Sequence, residues 1–277
     1  MEKVRLYPCL PQVIQYKIRA YFKTKEEIMK AVIITGANSG IGAATAKLFS
    51  ENNYFVYLIA RNQDRLTQLQ QQLQNAESFS CDFLDSESIK KTTTQIIHSI
   101  TSNNQQLKAI VNNAGIYQLD RHQIDSQKIW HDQFQVNLFS HVQLTNLMID
   151  QLKKSNGAAI INVSSTLGLK PTADTAAYSA TKSAMNTWTV SLAQALGQFQ
   201  IRANAICPGI VDTPIHQFHH LEQASKQNAL SSMANLQCLG RIGRPEELAQ
   251  SIYFLASEKS AWTTGAILSV DGGINIS

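Results

Sequence analysis

From residue 31 onward, short apolar runs alternate with helical stretches, and each run is too continuous for a sheet with one wet face. Strands covered on both sides read this way, and the stretches between them are long enough to act as crossover helices. The runs are Ala31–Thr35, Phe55–Ala60, a weak Ser78–Cys81, Ala109–Val111 with Asn112, Ala158–Val163, Ile201–Ile206 and Ala266–Val270. The helices are expected at Ile41–Glu51, Asp64–Leu73, Ser86–Ile100, a long Gln127–Lys154, Ala176–Gly197 and Pro245–Ala256. The pattern predicts an α/β fold, a single doubly wound domain over 30–277 with a seven-stranded parallel sheet and helices on both faces. The Gln-rich Gln68–Gln74 keeps Leu66, Leu69 and Leu73 at helical spacing and reads as part of a solvated crossover helix.

Of the 277 residues 44% are hydrophobic and 16% charged, as in a folded globular chain. No apolar run is long enough for a membrane span. Cys9, Cys81, Cys207 and Cys238 are too scattered for a disulfide framework or zinc site, which favours a reducing, cytoplasmic setting. The net charge of +4 resides in the first thirty residues, which carry seven basic and three acidic side chains. The neutral remainder gives no overall basis for binding nucleic acid. Within 1–29, Ile14, Ile18, Tyr21 and Phe22 form a helical stripe flanked by Lys17, Arg19 and Lys23. This basic amphipathic extension could touch a membrane surface. Alternatively it docks on the body, or it belongs to an overlong gene start ahead of Met29.

Thr35-Gly36-Ala37-Asn38-Ser39-Gly40-Ile41-Gly42 follows the first strand and opens a helix. Gly36 permits a tight turn, Gly40 lets backbone approach a pyrophosphate, and Gly42 lets the helix pack on the sheet. The helix N-terminus then faces the phosphates.

This TGxxxGIG turn resembles that of the short-chain dehydrogenase/reductase family. Later residues match the family in order: Asn112-Asn113-Ala114-Gly115, Asn137, Ser165, Tyr178 with Lys182, Pro208-Gly209 through Thr213, and Val270-Asp271-Gly272-Gly273. The resemblance covers about residues 30–275 and implies the short, single-domain, Rossmann-type branch. It selects Ser165 over Ser164, because Tyr178 follows Ser165 at the family's usual interval. It places the cofactor against Gly36, Asn38, Ser39, Gly40, Ile41, Gly42, Asp82, Asn112, Ala114, Gly115, Tyr178, Lys182, Pro208, Gly209 and Thr213. It makes Asn137, Ser165, Tyr178 and Lys182 the catalytic set, with Asn137 holding a water that links Lys182 to solvent. It also implies a homodimer or homotetramer built on the two long helices and the C-terminal segment.

The chemistry of that set can be argued from the residues. Tyr178 and Lys182 are one helical turn apart. A free tyrosine has a pKa of about 10, and a nearby lysine cation is expected to lower it. Tyr178 would then serve as general acid for a ketone or general base for an alcohol, with Ser165 donating to the substrate oxygen. The second strand ends in Ala60 and Arg61, where an acid would select NAD; Arg61 therefore favours NADP(H). The expected activity is NADP(H)-dependent interconversion of a ketone and a secondary alcohol, most simply a carbonyl reductase on a small molecule.

Two alternatives stand beside it. A 3-oxoacyl-carrier-protein reductase would need a cationic mouth, and Arg121, Lys170 and Arg202 are scattered candidates. A non-catalytic NADP(H)-binding sensor would use the fold without turnover. His216, His219 and His220 lie in Ile210–Gly240, read as the substrate-covering loop, and are not expected to bind metal. Cys207 reads as a small buried residue, Trp188 and Trp262 as core or interface aromatics, and Arg241 and Arg244 as groups for an interface or an acidic substrate.

Overall fold

The computed structural model describes residues 28–120, 127–216 and 223–277. Seven strands, β1 (Lys30–Thr35), β2 (Phe55–Ala60), β3 (Ala76–Ser80), β4 (Gln106–Asn112), β5 (Ala159–Val163), β6 (Arg202–Pro208) and β7 (Ile267–Val270), form one sheet. They pair in parallel in the order β3-β2-β1-β4-β5-β6-β7. The order reverses between β1 and β4, which opens a crevice at their carboxyl ends.

The helices are α1 (Gly40–Glu51), α2 (Gln63–Gln70), α3 (Ser86–Ser102), α4 (Gln127–Phe134), α5 (Ser140–Lys153), α6 (Ala176–Leu196), α7 (Gln223–Ala234) and α8 (Pro245–Ala256). Alternate strand residues feed two cores, as the two-residue period of a strand requires. Ile33, Tyr57, Ile110 and Ile160 pack with Ile89, Ile96, Leu144, Met148 and Leu192 of α3, α5 and α6. Ile34, Val56, Leu58, Val111 and Ile161 pack with Phe49, Leu66, Leu248 and Ile252 of α1, α2 and α8. Burying each of these large side chains stabilises the fold by about 1.5–3 kcal/mol. The sheet is thereby fixed, and the loops at its carboxyl edge are free to carry chemistry.

Three expectations change in detail. Helix α2 stops at Gln70, because Gln72 and Leu73 bond back three residues in turns and β3 begins already at Ala76. The stretch expected as one helix over Gln127–Lys154 is interrupted by a π-helical turn at Gln135–Phe139. The loop expected over Ile210–Gly240 contains α7.

Candidate active site

Thr35 ends β1 and fastens it to the end of β4. Its hydroxyl donates to the Val111 carbonyl and accepts from the N–H groups of Asn113 and Ala114. The chain then turns at Gly36, with φ of 64°, in the left-handed region that glycine enters freely. Asn113 Nδ2 donates to the carbonyl oxygens of Thr35 and Gly36, at 2.8 and 3.3 Å, and holds the turn shut. A Cβ on Gly42 would stand 2.3 Å from the Gly36 carbonyl oxygen, so only glycine fits.

Ser39 is the N-cap of α1 and makes no side-chain cap, and the first turn of α1 holds no acid. The opening N–H groups of α1 therefore have no competing side-chain acceptor, and the helix dipole adds partial positive charge. This cradle fits a dinucleotide pyrophosphate. Asn38 and Ile41 are half-buried beside it, and a Cβ on Gly40 would lie 3.0 Å from the Thr213 methyl, so Thr213 overhangs the turn.

Asn112, expected at the cofactor, has its side chain engaged inside the core. Its side chain is fully buried and donates to Asn162 Oδ1 and Thr145 Oγ1. It ties β4 to β5 and α5, and the next residue, Asn113, carries the contact to the glycine turn. Ala114 is buried, and its carbonyl meets His141 Nε2 at 2.8 Å. A carbonyl only accepts, so Nε2 carries the proton.

Asn137 lies inside the π-helical turn, a distortion that often accompanies functional sites. Its Oδ1 accepts from Ile116 N at 2.8 Å, and its Nδ2 donates to Ile116 O at 2.9 Å and to Thr181 Oγ1 at 3.3 Å. Both amide N–H groups are spent, so a water held by Asn137 must use the remaining lone pair of Oδ1 or the main chain. A Cβ on Gly115 would stand 3.3 Å from Asn137 Oδ1 and 3.9 Å from Lys182 Nζ, which brings these three residues together.

Ser164 and Ser165 follow β5 with different partners. Ser164 donates to the Lys182 carbonyl, a packing role. The Ser165 hydroxyl accepts from Leu167 N and lies close enough to the Tyr178 phenol to act on its pKa. Tyr178 and Lys182 are both buried on α6. Lys182 Nζ donates to the Val163 carbonyl at 2.8 Å. Burial pushes the lysine pKa down to about 8. The expected lowering of the Tyr178 pKa is reversed here. Burial pushes it well above its ordinary value, and the Ser165 hydroxyl offsets only part of that rise. That rise favours the protonated phenol, the form that can donate a proton.

The remaining candidates are spread around the crevice. Pro208 closes β6, and Gly209 is packed so tightly on Asp271 that a Cβ would meet its carbonyl oxygen at 2.7 Å. Asp82 is exposed after β3, with Oδ1 accepting from Leu84 N. Arg61 is exposed at the end of β2. Sequence reasoning missed two further cations, Lys47 of α1 and Arg65 of α2, which line a shallow pocket with Asn38.

The short chain dehydrogenase family model matches residues 30–224, a span that includes the glycine turn, Ser165, Tyr178 and Lys182. The chain belongs to this family. As a short-chain dehydrogenase it is an oxidoreductase acting on CH–OH or C=O groups. It is 30% identical to the 3-oxoacyl-acyl-carrier-protein reductase of Thermotoga maritima, covering 89% of this chain and 98% of that one. It is 31% identical to a cyclopentanol dehydrogenase of Comamonas, covering 88% and 96%. The L-sorbose reductase of Gluconobacter frateurii, solved with NADPH and L-sorbose, superposes with a TM-score of 0.83. That structure is 27% identical, over 90% of this chain and 98% of the reductase.

Several outlying residues of this dehydrogenase have other duties than the sequence suggests. Arg202 is buried and donates to the carbonyls of Leu255, Ser257 and Thr263 and to Ser260 Oγ, so it is no surface cation for a carrier protein. Arg241 grips Glu247 with two bonds of 2.9 and 2.6 Å, and Glu247 accepts from Arg244 N. That arrangement caps α8, rather than offering both arginines to an acidic substrate. Cys207 is fully buried, Trp188 packs on the core, and Trp262 is fully exposed. Among the described residues no cluster of three or more potential metal ligands occurs, and no helix is long and apolar enough to cross a membrane. Arg121, His219, His220 and residues 1–27 lie outside the described residues.

Proposed function

We propose that the chain is an NADP(H)-dependent carbonyl reductase that interconverts a small ketone and its secondary alcohol. The observation that carries the reading is the buried Tyr178, one helical turn from buried Lys182 and beside Ser165, in the crevice that also holds the glycine cradle. A nicotinamide cofactor bound at this cradle would supply the hydride for the carbonyl carbon. Ser165 donates a hydrogen bond to the carbonyl oxygen, where negative charge develops. Tyr178 transfers its phenolic proton to that oxygen and so completes the alcohol. Lys182 stabilises the resulting phenolate and would hold the ribose of the cofactor, and Asn137 holds Ile116 and Thr181 in place beside it.

Arg61 supports NADP(H) over NAD(H), and Lys47 and Arg65 add positive charge in a shallow pocket with Asn38 of the glycine turn. NADPH also bound the sorbose reductase named above. Asp82 is assigned to the adenine, and Thr213 to the phosphates or carboxamide. The relative from Thermotoga keeps 3-oxoacyl-carrier-protein reduction in view, although burial of Arg202 removes one cation that it would use.

We also infer a homodimer or homotetramer in the cytoplasm. Phe139, Leu147 and Val190 are exposed along the two long helical stretches, and Phe254, Trp262 and Leu268 are exposed toward the C-terminal end of the chain. Light scattering at micromolar concentration tests this, and a monomer would contradict it.

The functional reading is tested by NADPH oxidation with a panel of ketones, aldehydes and acyl thioesters. Turnover with at least one ketone is expected. Protein that binds NADPH and turns over no member of the panel would favour the sensor alternative. Arg61→Ala should narrow the preference for NADPH over NADH at least tenfold in kcat/KM, by removal of a charge-assisted contact worth about 1.5–3 kcal/mol.

A further inference from the structure

The residue N-capping α6, Thr175, forms no side-chain cap to that helix. The N–H of Ala177, one of the orphan donors at every helix start, is instead met from 57 residues upstream. Asp120 Oδ2 accepts it at 2.7 Å, and Asp120 N donates to the Asp174 carbonyl at 3.2 Å. Asp120 is only 2% exposed, and its Oδ1 meets no donor among the described residues. Its hydrogen bonding there is thus directed to the backbone N–H of the residue directly before Tyr178. A carboxylate accepting a helix-start N–H makes a strong, short, charge-assisted bond.

The segment that leads into Asp120 is stapled on its other side. Asn137 pairs with both the N–H and the C=O of Ile116, and Gln133 pairs with both those of Gln118, at 3.3 and 3.2 Å. Gln133 and Asn137 are buried, so two amide side chains serve Ile116–Gln118 as a neighbouring strand would. Between the two pairings sits Tyr117, whose ring meets the Tyr178 ring edge-on at a centroid distance of 5.0 Å. The strap from Gly115 to Asp120 therefore meets the first turn of α6 twice, once at the Tyr178 ring and once at the N–H of the residue before it.

We propose that Asp120 is the positioning residue for Tyr178: by bonding Ala177 N it fixes the first turn of α6 against the strap and aims the phenol at the substrate carbonyl. The proposal rests on the reading of Tyr178 as the acid. Its effect should fall on kcat, because neither Asp120 nor Ala177 belongs to the glycine cradle. A displacement of about 1 Å in a reacting group can cost about a hundredfold in rate.

The test compares wild type, Asp120→Ala and Asp120→Asn by amide hydrogen exchange at Ala177, NADPH affinity and steady-state ketone reduction. In Asp120→Ala the Ala177 amide should lose protection. Its kcat should fall at least tenfold, while KM and NADPH affinity stay within about threefold, the scale of context effects. Asp120→Asn keeps an acceptor oxygen and should recover most of both protection and kcat. Unchanged protection in Asp120→Ala would overturn the staple, and lost protection with unchanged kcat would overturn its role in aiming Tyr178. A loss shared equally by kcat and NADPH affinity, or no rescue by asparagine, would also overturn it. Wild type without turnover would instead refute the reading of the function, and the exchange data would still judge the staple.

Discussion

Lys182 Nζ stands 5.6 Å from the centroid of the Tyr178 ring and donates to the Val163 carbonyl, with no ion-pair partner among the described residues. A buried ammonium held by one carbonyl is a poor stabiliser, because desolvation outweighs a single hydrogen bond. Such a group is kept for what it does, at a cost in stability.

Lys182→Met should therefore melt higher than wild type while losing activity. The native lysine pKa is lowered to about 8, against about 10.4 unfolded. Below pH 8 the folded protein carries the full cost of the buried charge. Between these values the unfolded chain binds a proton that the native state does not, so wild-type stability rises with pH. A gain of about 1 kcal/mol would appear as about 2–4 °C at neutral pH, shrinking toward pH 10. Melting curves at pH 7 and pH 9.5 check this; a variant that melts lower at both contradicts it.

His141 sets an acid limit. Burial pushes its pKa down to about 3, while the unfolded value is about 6.5. As the pH falls from 6.5 toward 3, the unfolded chain takes up a proton that the folded chain refuses, and stability is lost. The slope approaches about 1.4 kcal/mol per pH unit. His141→Gln keeps a donor for the Ala114 carbonyl and should lack this component. Urea unfolding across that range tests it, and parallel stability curves for the two proteins would refute it.

Gly42 and Gly197 make a matched pair. A Cβ at Gly42 collides with the Gly36 carbonyl, whereas one at Gly197 meets nothing within 4 Å. Gly197 also has helical φ and ψ, of −56° and −36°. Gly197→Ala should stabilise by about 0.4–1 kcal/mol through the unfolded state. Gly42→Ala should lower the melting temperature and weaken NADPH binding at least tenfold. Calorimetry and cofactor titration decide, and equal behaviour of the two variants would contradict the packing argument.

Much of this was legible in the sequence because it depends on local spacing. The Tyr178–Lys182 pair is one helical turn, and the glycine turn is eight consecutive residues. Long-range duties were not legible. Asn112 and Asn113 are adjacent and chemically identical, and only strand register decides which one enters the core and which one holds Gly36. The π-helical turn places Asn137 where it bonds Ile116 and Thr181, which no periodicity announces. Helix α7 lacks a clear apolar stripe in QASKQNALSSMA, so its sequence looks like loop. Arg202 looked like a surface cation because its four acceptors lie more than fifty residues downstream.

The most direct test of the central claim is turnover of NADPH with a ketone by wild type beside Tyr178→Phe, with NADPH affinity measured for both. Loss of a general acid should cost about 10²–10⁴-fold in kcat. The account predicts that loss with NADPH affinity held within threefold and with unchanged folding. A phenylalanine variant that reduces the ketone at the wild-type rate would contradict the assignment of Tyr178 as the proton donor.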